Sequence, residues 1–260
     1  MSEVSPRRGG RVLGSFVDAV SWDEAIERIA SWADERLSRV VTICNVHVVV
    51  TASSTPLLQT AINESDMATP DGKPVALALR FNGFPQQGRI AGPDLMWRYC
   101  SRAAQSGQRI FLYGSTEATL RRLQDRLRSA YPQLQIVGVL SPPFRELSPE
   151  EDARFVAEIA KSGAQVVFVG LGCPKQELWM SAHRGRIQAV MIGVGAAFDF
   201  HAGIVGRAPI WMQDWGLEWL HRLLSEPRRL WRRYLVTNSL FLLKLLPELL
   251  AGYCERPNRR

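Results

Sequence analysis

The carboxylate best placed for chemistry is Asp71, which lies in a Pro-Asp-Gly turn two residues before Lys73. Aspartate before glycine is common in turns, where its side chain bonds the local backbone. A tight turn also fixes a carboxylate in place, as a general base requires when it removes a proton from a substrate hydroxyl. Turn former and general base both fit this stretch.

A cation and a carboxylate follow in the loop Arg89-Ile-Ala-Gly-Pro-Asp94. The planar guanidinium of Arg89 matches a phosphate group, with which it can form parallel hydrogen bonds. Asp94 stands at the expected start of a helix, where a negative charge is favourable. The loop therefore fits phosphate binding, and Asp94 fits either a ligand contact or the helix start.

The stretch Gly170-Leu-Gly-Cys-Pro-Lys-Gln-Glu177 follows an apolar run, like the start of a phosphate-binding loop. Gly170 and Gly172 allow a tight turn, but polar residues follow where a dinucleotide loop keeps its third glycine. Gln176 offers a donor and an acceptor, as recognition of a uracil ring or a sugar hydroxyl requires. Lys175 and Glu177 fit a surface ion pair equally well.

A second near match, Gly193-Val-Gly195, has Phe198 at the third glycine position. Because neither turn completes the dinucleotide fingerprint, an NAD site is weakly supported. The nearby Asp199 fits the binding of a sugar or ribose hydroxyl, and it fits a turn cap as well.

Alternating strands and helices are predicted to position these residues. The apolar runs that indicate strands are Arg39–Cys44, Arg109–Tyr113, Leu134–Leu140, Val166–Val169 and Gln188–Val194. This alternation predicts an α/β fold with a Rossmann-like, mainly parallel sheet flanked by helices. Ligands of such sheets bind beyond the carboxyl ends of the strands. The residues at those ends are Asn45, Gly114, Gly172 and Gly195.

Further predictions concern the N-terminal part of the chain. Residues 1–10 are expected to form a loose leader, followed by a helix over Val20–Leu37. A second helix is predicted to begin near Val46 and to end before Asn63. The polar stretch Asp66–Pro74 is predicted to be a turn.

Near Gly203 the chain changes character. We predict an α/β catalytic core over residues 1–205 and a basic, amphipathic helical appendage over residues 206–260. Such an appendage is suited to a membrane surface and to closing over an active site.

Aromatic and basic residues mark this appendage. Trp211, Trp215 and Trp219 recur every four residues, and on one helix they form a stripe that packs against the core or serves as a ligand platform. The dipeptide Glu226-Pro227 is predicted to break that helix. The arginines of this region are Arg222, Arg228, Arg229, Arg232, Arg233, Arg256, Arg259 and Arg260. They fit binding of phosphates or of an anionic membrane, and they also fit a solvated helix face.

Composition excludes several classes of protein. The chain has 260 residues, of which 46% are hydrophobic and 22% charged, with a net charge of +7. These values are typical of a folded globular protein. Its cysteines and histidines are scattered, which indicates reduced thiols and no metal site. No apolar run reaches the roughly 18 residues of a membrane span, and no signal peptide is visible, so the protein is expected to be soluble or peripheral.

Taken together, the motifs resemble those of the WecG/TagA/CpsF family, which is glycosyltransferase family 26. The resemblance runs in order from about Val12 to Tyr234. The matching motifs are Asn45-Val-His-Val, Asp71-Gly72, Arg89-Ile-Ala-Gly-Pro-Asp-Leu95, Gly170–Glu177, Gly193-Val-Gly195, Phe198-Asp199, Ala202-Gly203, Arg207-Ala-Pro209, Gly216–Arg222, Glu226-Pro227 and Arg229–Tyr234. Each motif alone is weak, whereas their conjunction is specific.

The resemblance implies an inverting, metal-independent transferase without a cofactor. Its donor is typically a UDP-sugar, and its acceptor is a polyprenyl-diphosphate-linked saccharide at the cytoplasmic face of the membrane. It implies no nucleic-acid partner, and a homo-oligomer is compatible with it. The products of such enzymes are exopolysaccharides, capsules or cell-wall polymers.

The resemblance also assigns roles to residues. Asp71 is the expected general base. Asn45 and Gln176 match family residues that shape the donor and acceptor pocket. Together with Thr42, Arg89, Asp94, Gly172, Gly195 and Asp199 they form the full set of residues expected to bind substrate. Arg222, Arg229 and Arg232 are expected to stabilise the diphosphate leaving group. Thr42 departs from the family's usual Thr-x-Asn spacing, because it stands one residue further from Asn45.

Two other functions are compatible with parts of the sequence. A nicotinamide-dependent oxidoreductase would use the Gly-x-Gly turns, although both lack the third glycine. A non-enzymatic basic module would bind membrane through the C-terminal arginines, which leaves Asp71 and Gln176 without a role.

Overall fold

The computed structural model describes residues 7–254, with side chains described as far as residue 247. Of the predicted basic cluster, Arg256, Arg259 and Arg260 lie outside the described residues. Within residues 7–254, no helix is long and apolar enough to cross a membrane.

The strands of the described chain form a small hairpin and a main sheet. They are β1 (Gly9–Val12), β2 (Ser15–Asp18), β3 (Arg39–Cys44), β4 (Met67–Pro70), β5 (Arg109–Gly114), β6 (Gln135–Leu140), β7 (Val166–Gly170) and β8 (Val190–Gly193). Strands β1 and β2 pair antiparallel in the hairpin. The main sheet has the order β4-β3-β8-β7-β5-β6.

The main sheet confirms the predicted α/β, Rossmann-like fold. Strand β8 pairs parallel with β3 and β7, and β5 pairs parallel with β7 and β6. All residues of β8, and those of β7 before Gly170, are buried. These strands are continuous apolar runs because helices cover both faces of a parallel sheet.

Helices connect and flank the strands. They are α1 (Trp22–Asp34), α2 (Val46–Ala52), α3 (Pro56–Asn63), α4 (Lys73–Phe81), α5 (Gly92–Ser106), α6 (Glu117–Ala130), α7 (Pro149–Ser162), α8 (Lys175–Ala182), α9 (Ala197–His201), α10 (Ile210–Trp215), α11 (Glu218–Ser225) and α12 (Pro227–Cys254). Their ends follow local signals. Ser148 and Glu151, for example, form a capping box at the start of α7, and Gly163 ends this helix in the left-handed conformation.

Several local predictions for the N-terminal part are wrong. The single helix predicted from Val46 is two helices, because Pro56 starts α3 after a short break. The polar stretch predicted as a turn contains the buried strand β4, whose four residues are too few to show a period. Strand β1 begins at Gly9, inside the predicted leader, while residues 1–6 lie outside the described residues.

The predicted tryptophan stripe on one helix is also wrong. Gly216 adopts a left-handed conformation with φ 75° and ends α10 after Trp215, so that Trp219 lies on α11. The break predicted at Glu226-Pro227 is confirmed, because α11 ends at Ser225 and α12 begins at Pro227.

The chain divides into two compact units, each made of separate chain segments. Among the described residues, unit 1 contains residues 7–21, 43–91 and 207–254, and unit 2 contains residues 22–42 and 92–206. Within unit 1, the long helix α12 packs against α2 and α4.

Candidate functional site

In unit 1, Asp71 follows strand β4 and precedes the N-cap of α4, Gly72. The Asp71 backbone nitrogen donates a hydrogen bond of 2.9 Å to the carbonyl of Cys44, the last residue of β3. Gly72 has φ 81°, which disfavours any residue with a side chain. The half-buried Asp71 is therefore held at the ends of two strands.

Asn45 follows β3 directly and is the N-cap of α2. Its Oδ1 accepts a hydrogen bond of 3.1 Å from the Val48 backbone nitrogen. Two residues later, burial lowers the pKa of His47 to about 4, and the positive charge of Arg233 adds to this effect. His47 is therefore a neutral imidazole at neutral pH.

Tyr234, on α12, lies within electrostatic range of charged groups from several elements of unit 1. Burial raises the pKa of the Tyr234 phenol, Arg222 and Arg233 lower it, and Asp71 and Glu226 raise it further. Asp71 and Arg222 thus lie within electrostatic range of the same phenol. The ring of Trp219 lies 5.8 Å from the ring of Tyr234.

The arginines expected to bind the leaving group differ in their surroundings. Arg222 is half-buried, whereas Arg229 and Arg232 are exposed. Arg229 donates a hydrogen bond of 2.7 Å to Glu226, and the guanidinium of Arg232 lies 5.3 Å from the ring centre of Trp231. The half-buried Arg233, which was not among the expected site residues, accompanies Arg222 near Tyr234.

Arg89 contacts residues of α10 and α11. Its guanidinium donates hydrogen bonds to Glu218 and, over 2.9 Å, to Gln213. Glu218 also pairs with Arg207 at 3.5 Å. The phosphate contact expected of Arg89 remains a prediction, and Glu218 and Gln213 were missed. Glu218 stands four residues before Arg222, so the sequence indicates a pair within a helix rather than a partner 129 residues away.

In unit 2, the turn after β7 holds Gln176 from several sides. Gly172, with φ 78°, donates its backbone N–H to Gln176 Oε1 over 3.1 Å. Gln176 Nε2 donates to Glu177 Oε1 over 2.9 Å. Both side chains are buried, and burial raises the pKa of Glu177. The surface ion pair with Lys175 is therefore wrong.

The second Gly-x-Gly turn leaves room for the Gln176 amide. A Cβ atom at Gly193 would lie 2.7 Å from Met180 Cε and 3.0 Å from Gln176 Nε2. At Gly195, with φ 53°, it would lie 3.5 Å from Gln176 Oε1. Gly193 therefore serves close packing against Gln176, whereas the left-handed backbone rather than space favours glycine at position 195.

The other expected residues of unit 2 lie on separate elements. Thr42 is fully buried in β3, Asp94 lies in the first turn of α5, and Asp199 lies on α9. Helix α9 also packs on α5 through His201, whose ring stacks on Trp97 with 4.8 Å between the ring centres. In the part of the chain that the structure describes, no group of three or more His, Cys, Asp or Glu side chains is arranged to hold a metal ion.

Comparison with known proteins agrees with the resemblance seen in the motifs. The model of the glycosyl transferase WecG/TagA/CpsF family matches residues 10–255. This chain belongs to the WecG/TagA/CpsF family. The match covers almost all of the chain, including the segments of both units that carry the expected site residues.

Within the WecG/TagA/CpsF family, a curated relative comes from Bacillus spizizenii (strain ATCC 23059 / NRRL B-14472 / W23). It is named N-acetylglucosaminyldiphosphoundecaprenol N-acetyl-beta-D-mannosaminyltransferase. The two sequences are 32% identical over 222 residues, which cover 85% of this chain and 84% of the relative. The chain is thus a WecG/TagA/CpsF-family glycosyltransferase. The match gives no support to the alternative function, that of a nicotinamide-dependent oxidoreductase.

Proposed function

We propose that the protein transfers a sugar, with inversion, from a UDP-sugar to a polyprenyl-diphosphate-linked saccharide. The observation that carries the proposal is the common neighbourhood of Asp71, Arg222 and Tyr234 in unit 1. A carboxylate and a half-buried arginine that both act on the same phenol supply the two groups that the reaction needs. One accepts a proton, and the other stabilises a diphosphate.

In the proposed reaction, Asp71 removes the proton from an acceptor hydroxyl. The hydroxyl oxygen bonds to the anomeric carbon from the face opposite UDP, while the bond from that carbon to the UDP oxygen breaks. The electron pair of that bond stays with UDP, whose negative charge increases. Arg222, Arg229 and Arg232 are proposed to stabilise this charge, because arginine forms charge-assisted hydrogen bonds with phosphate.

The remaining expected residues have a proposed role in each unit. Asn45 is proposed to contact the substrates in unit 1. The proposed substrate-binding residues of unit 2 are Thr42, Asp94, Gly172, Gln176, Gly195 and Asp199. Because Gln176 is buried and its amide is held within its own turn, we assign it to the wall of the site rather than to an exposed surface.

The name of the relative indicates the first substrates to test. We propose N-acetylglucosaminyl-diphosphoundecaprenol or a short-chain analogue as acceptor and UDP-N-acetylmannosamine as donor. Other UDP-sugars serve as competitors that define donor specificity.

We also propose that the protein acts at the cytoplasmic face of a membrane. Exposed apolar residues occur on all three C-terminal helices. They include Ile210, Trp211, Trp215, Leu224, Leu242, Leu243 and Leu246. Together with exposed arginines such as Arg228 and Arg229, they match the composition of helices that lie in the interface of anionic bilayers.

The central test is UDP release by the wild-type chain and by Asp71→Asn. Loss of a general base lowers kcat by about 10²–10⁴-fold, and we expect UDP affinity to remain nearly unchanged. Asp125→Asn makes the same chemical change on the exposed side of α6 and serves as the control. Retained turnover in Asp71→Asn would exclude Asp71 as the base.

Because arginines are proposed to supply the positive charge, transfer should also continue in EDTA. A strict requirement for Mg²⁺ or Mn²⁺ would contradict the proposal.

A further inference from the structure

The contact between Arg89 and α11 in unit 1 is well shielded for an ion pair. The side chains of Arg89 and Glu218 are only 20% and 27% exposed. Ion pairs on open surfaces contribute little, because water and salt screen them. Breaking a shielded pair is more disruptive, because the remaining charge loses its partner.

Glu218 and Gln213 extend this contact into a network that spans both short helices. One carboxylate oxygen of Glu218 accepts from Arg89, and the other lies 3.5 Å from Arg207 Nε. Gln213 accepts from Arg89 and donates a hydrogen bond of 2.8 Å to the Ala208 carbonyl. The Arg89 side chain is thus bound by one residue of α10 and one residue of α11.

The short helices depend on such contacts for their position. Helix α10 has six residues and α11 has eight. Isolated helices shorter than about 12–15 residues are marginal in water, so tertiary contacts must fix these two. Arg222 lies on α11 four residues after Glu218, which places the two side chains on the same face, about one turn apart.

We infer that Glu218 is a positioning residue, which binds Arg89 and thereby fixes the position of Arg222 on α11. Arg89 is then the anchor of α11 and not a ligand of the substrate phosphate. This inference rests on the proposed function, in which Arg222 stabilises the leaving group. Glu218 acts only through Arg222 and contacts no substrate.

The kinetic test uses Glu218→Gln, which preserves shape and removes the charge. We expect kcat to fall about 10-fold or more, with little change in the KM for the donor, because misplacing a group that acts in the transition state lowers kcat. In an Arg222→Ala background, Glu218→Gln should have no further effect on kcat. An equal loss in both backgrounds would overturn the inference, since a merely structural role does not require Arg222. The control is Glu117→Gln, whose side chain is 80% exposed and pairs with Arg121 on α6, and it should keep full kcat.

A double-mutant cycle decides between the roles of Arg89. If Arg89 is the anchor, Arg89→Gln and Glu218→Gln together should lose no more activity than the worse single variant, because each single change already breaks the same contact. If Arg89 binds the substrate phosphate, the loss in the double variant should equal the product of the two single losses. That result would overturn the inference.

Amide hydrogen exchange separates failure of this inference from failure of the proposed function. Exchange over residues 210–225 should rise in Glu218→Gln and in Arg89→Gln, and it should not rise in Glu117→Gln. This readout does not depend on transfer. An inactive wild type with raised exchange in both variants would reject the proposed function and keep the anchor. Unchanged exchange would reject the anchor.

Discussion

Glu177 is a buried carboxylate whose partner is the amide of Gln176. Burial raises the pKa of Glu177 above its usual value of 4.5, so the folded state favours the protonated form. The stability that Glu177 contributes is therefore fully present below pH 4.5 and is lost as the pH rises through its value in the folded protein.

We predict that the free energy of unfolding of Glu177→Gln, relative to that of the wild type, increases as the pH rises. The glutamine oxygen can still accept from Gln176, and it never carries a charge that burial penalises. Chemical unfolding of wild type and variant at pH 4 and at pH 7.5 measures the change. A difference in unfolding free energy that is the same at both pH values would contradict the prediction.

His47 should show the opposite dependence on pH. Its pKa is about 4 in the folded protein against an ordinary 6.5, so its stabilising contribution is present above pH 6.5 and is lost as the pH falls toward 4. His47→Gln removes this loss, which amounts to at most about 1.4 kcal/mol per pH unit. The free energies of unfolding of wild type and variant, measured between pH 7.5 and pH 4, test this prediction. A difference between the two proteins that stays constant over this range would show that His47 does not titrate there.

The location of a residue that directly follows a strand can be predicted from the sequence. The location of a residue that depends on tertiary contacts is harder to predict. Asn45 stands directly after an apolar run and lies at a strand end in the structure, whereas the strand that precedes Asp71 was predicted as a turn. Glu177 follows the turn Gly172-Cys-Pro174, and from the sequence it looks like a surface residue. Its burial could not be predicted, because it depends on how α8 packs. Glu218 was missed since its partner, Arg89, lies far away in the chain.

At the scale of elements, Gly216 determines how the tryptophans are distributed. Spacing by four predicts one helix, but periodicity does not register a glycine that ends the helix in the left-handed conformation. With α10 and α11 separated at Gly216, Trp215 is 74% exposed and Trp219 contacts Tyr234.

We predict that Gly216→Ala destabilises unit 1. A residue with a Cβ costs about 1–2 kcal/mol in the left-handed region. The new Cβ would also lie 3.0 Å from Lys73 Cβ. Chemical unfolding measures the loss, with Gly206→Ala as the matched control, because no atom lies within 4 Å of a Cβ at that position. Equal stability of the two variants would contradict the prediction.

At the scale of the whole molecule, residues from three distant segments build unit 1. The apolar spacing of the alternating segments predicted the sheet, since β5, β7 and β8 are local apolar runs. The packing of α12 on α2 had no such signal, because it joins segments that are far apart in the chain. The division of the chain into 1–205 and 206–260 remains a prediction.

Substitutions at two neighbouring residues of α12 should distinguish an effect on stability from an effect on membrane binding. Phe241 is 3% exposed and Leu242 is 68% exposed. Phe241→Ala should cost about 3–5 kcal/mol in unfolding free energy, because it leaves a cavity in unit 1. Leu242→Ala should change stability by less than about 0.5 kcal/mol.

Vesicle binding completes this comparison. We expect Leu242→Ala, alone or with Leu243→Ala and Leu246→Ala, to weaken sedimentation with anionic vesicles, because each change removes apolar area from the proposed membrane surface. Undiminished vesicle binding of the triple variant would show that the membrane surface lies elsewhere.

The segmented construction of unit 1 has a consequence for biosynthesis. Asp71 leaves the ribosome long before Arg222 and Tyr234, which belong to the same unit. At about 5–20 residues per second, the ribosome needs several seconds or more to translate the residues between Asp71 and Tyr234. During that time a nascent chain already contains the proposed base but still lacks the arginines proposed to stabilise the leaving group. We therefore expect catalytic competence to arise only after α12 has been synthesised, so that translation itself delays glycosyl transfer until that helix is made.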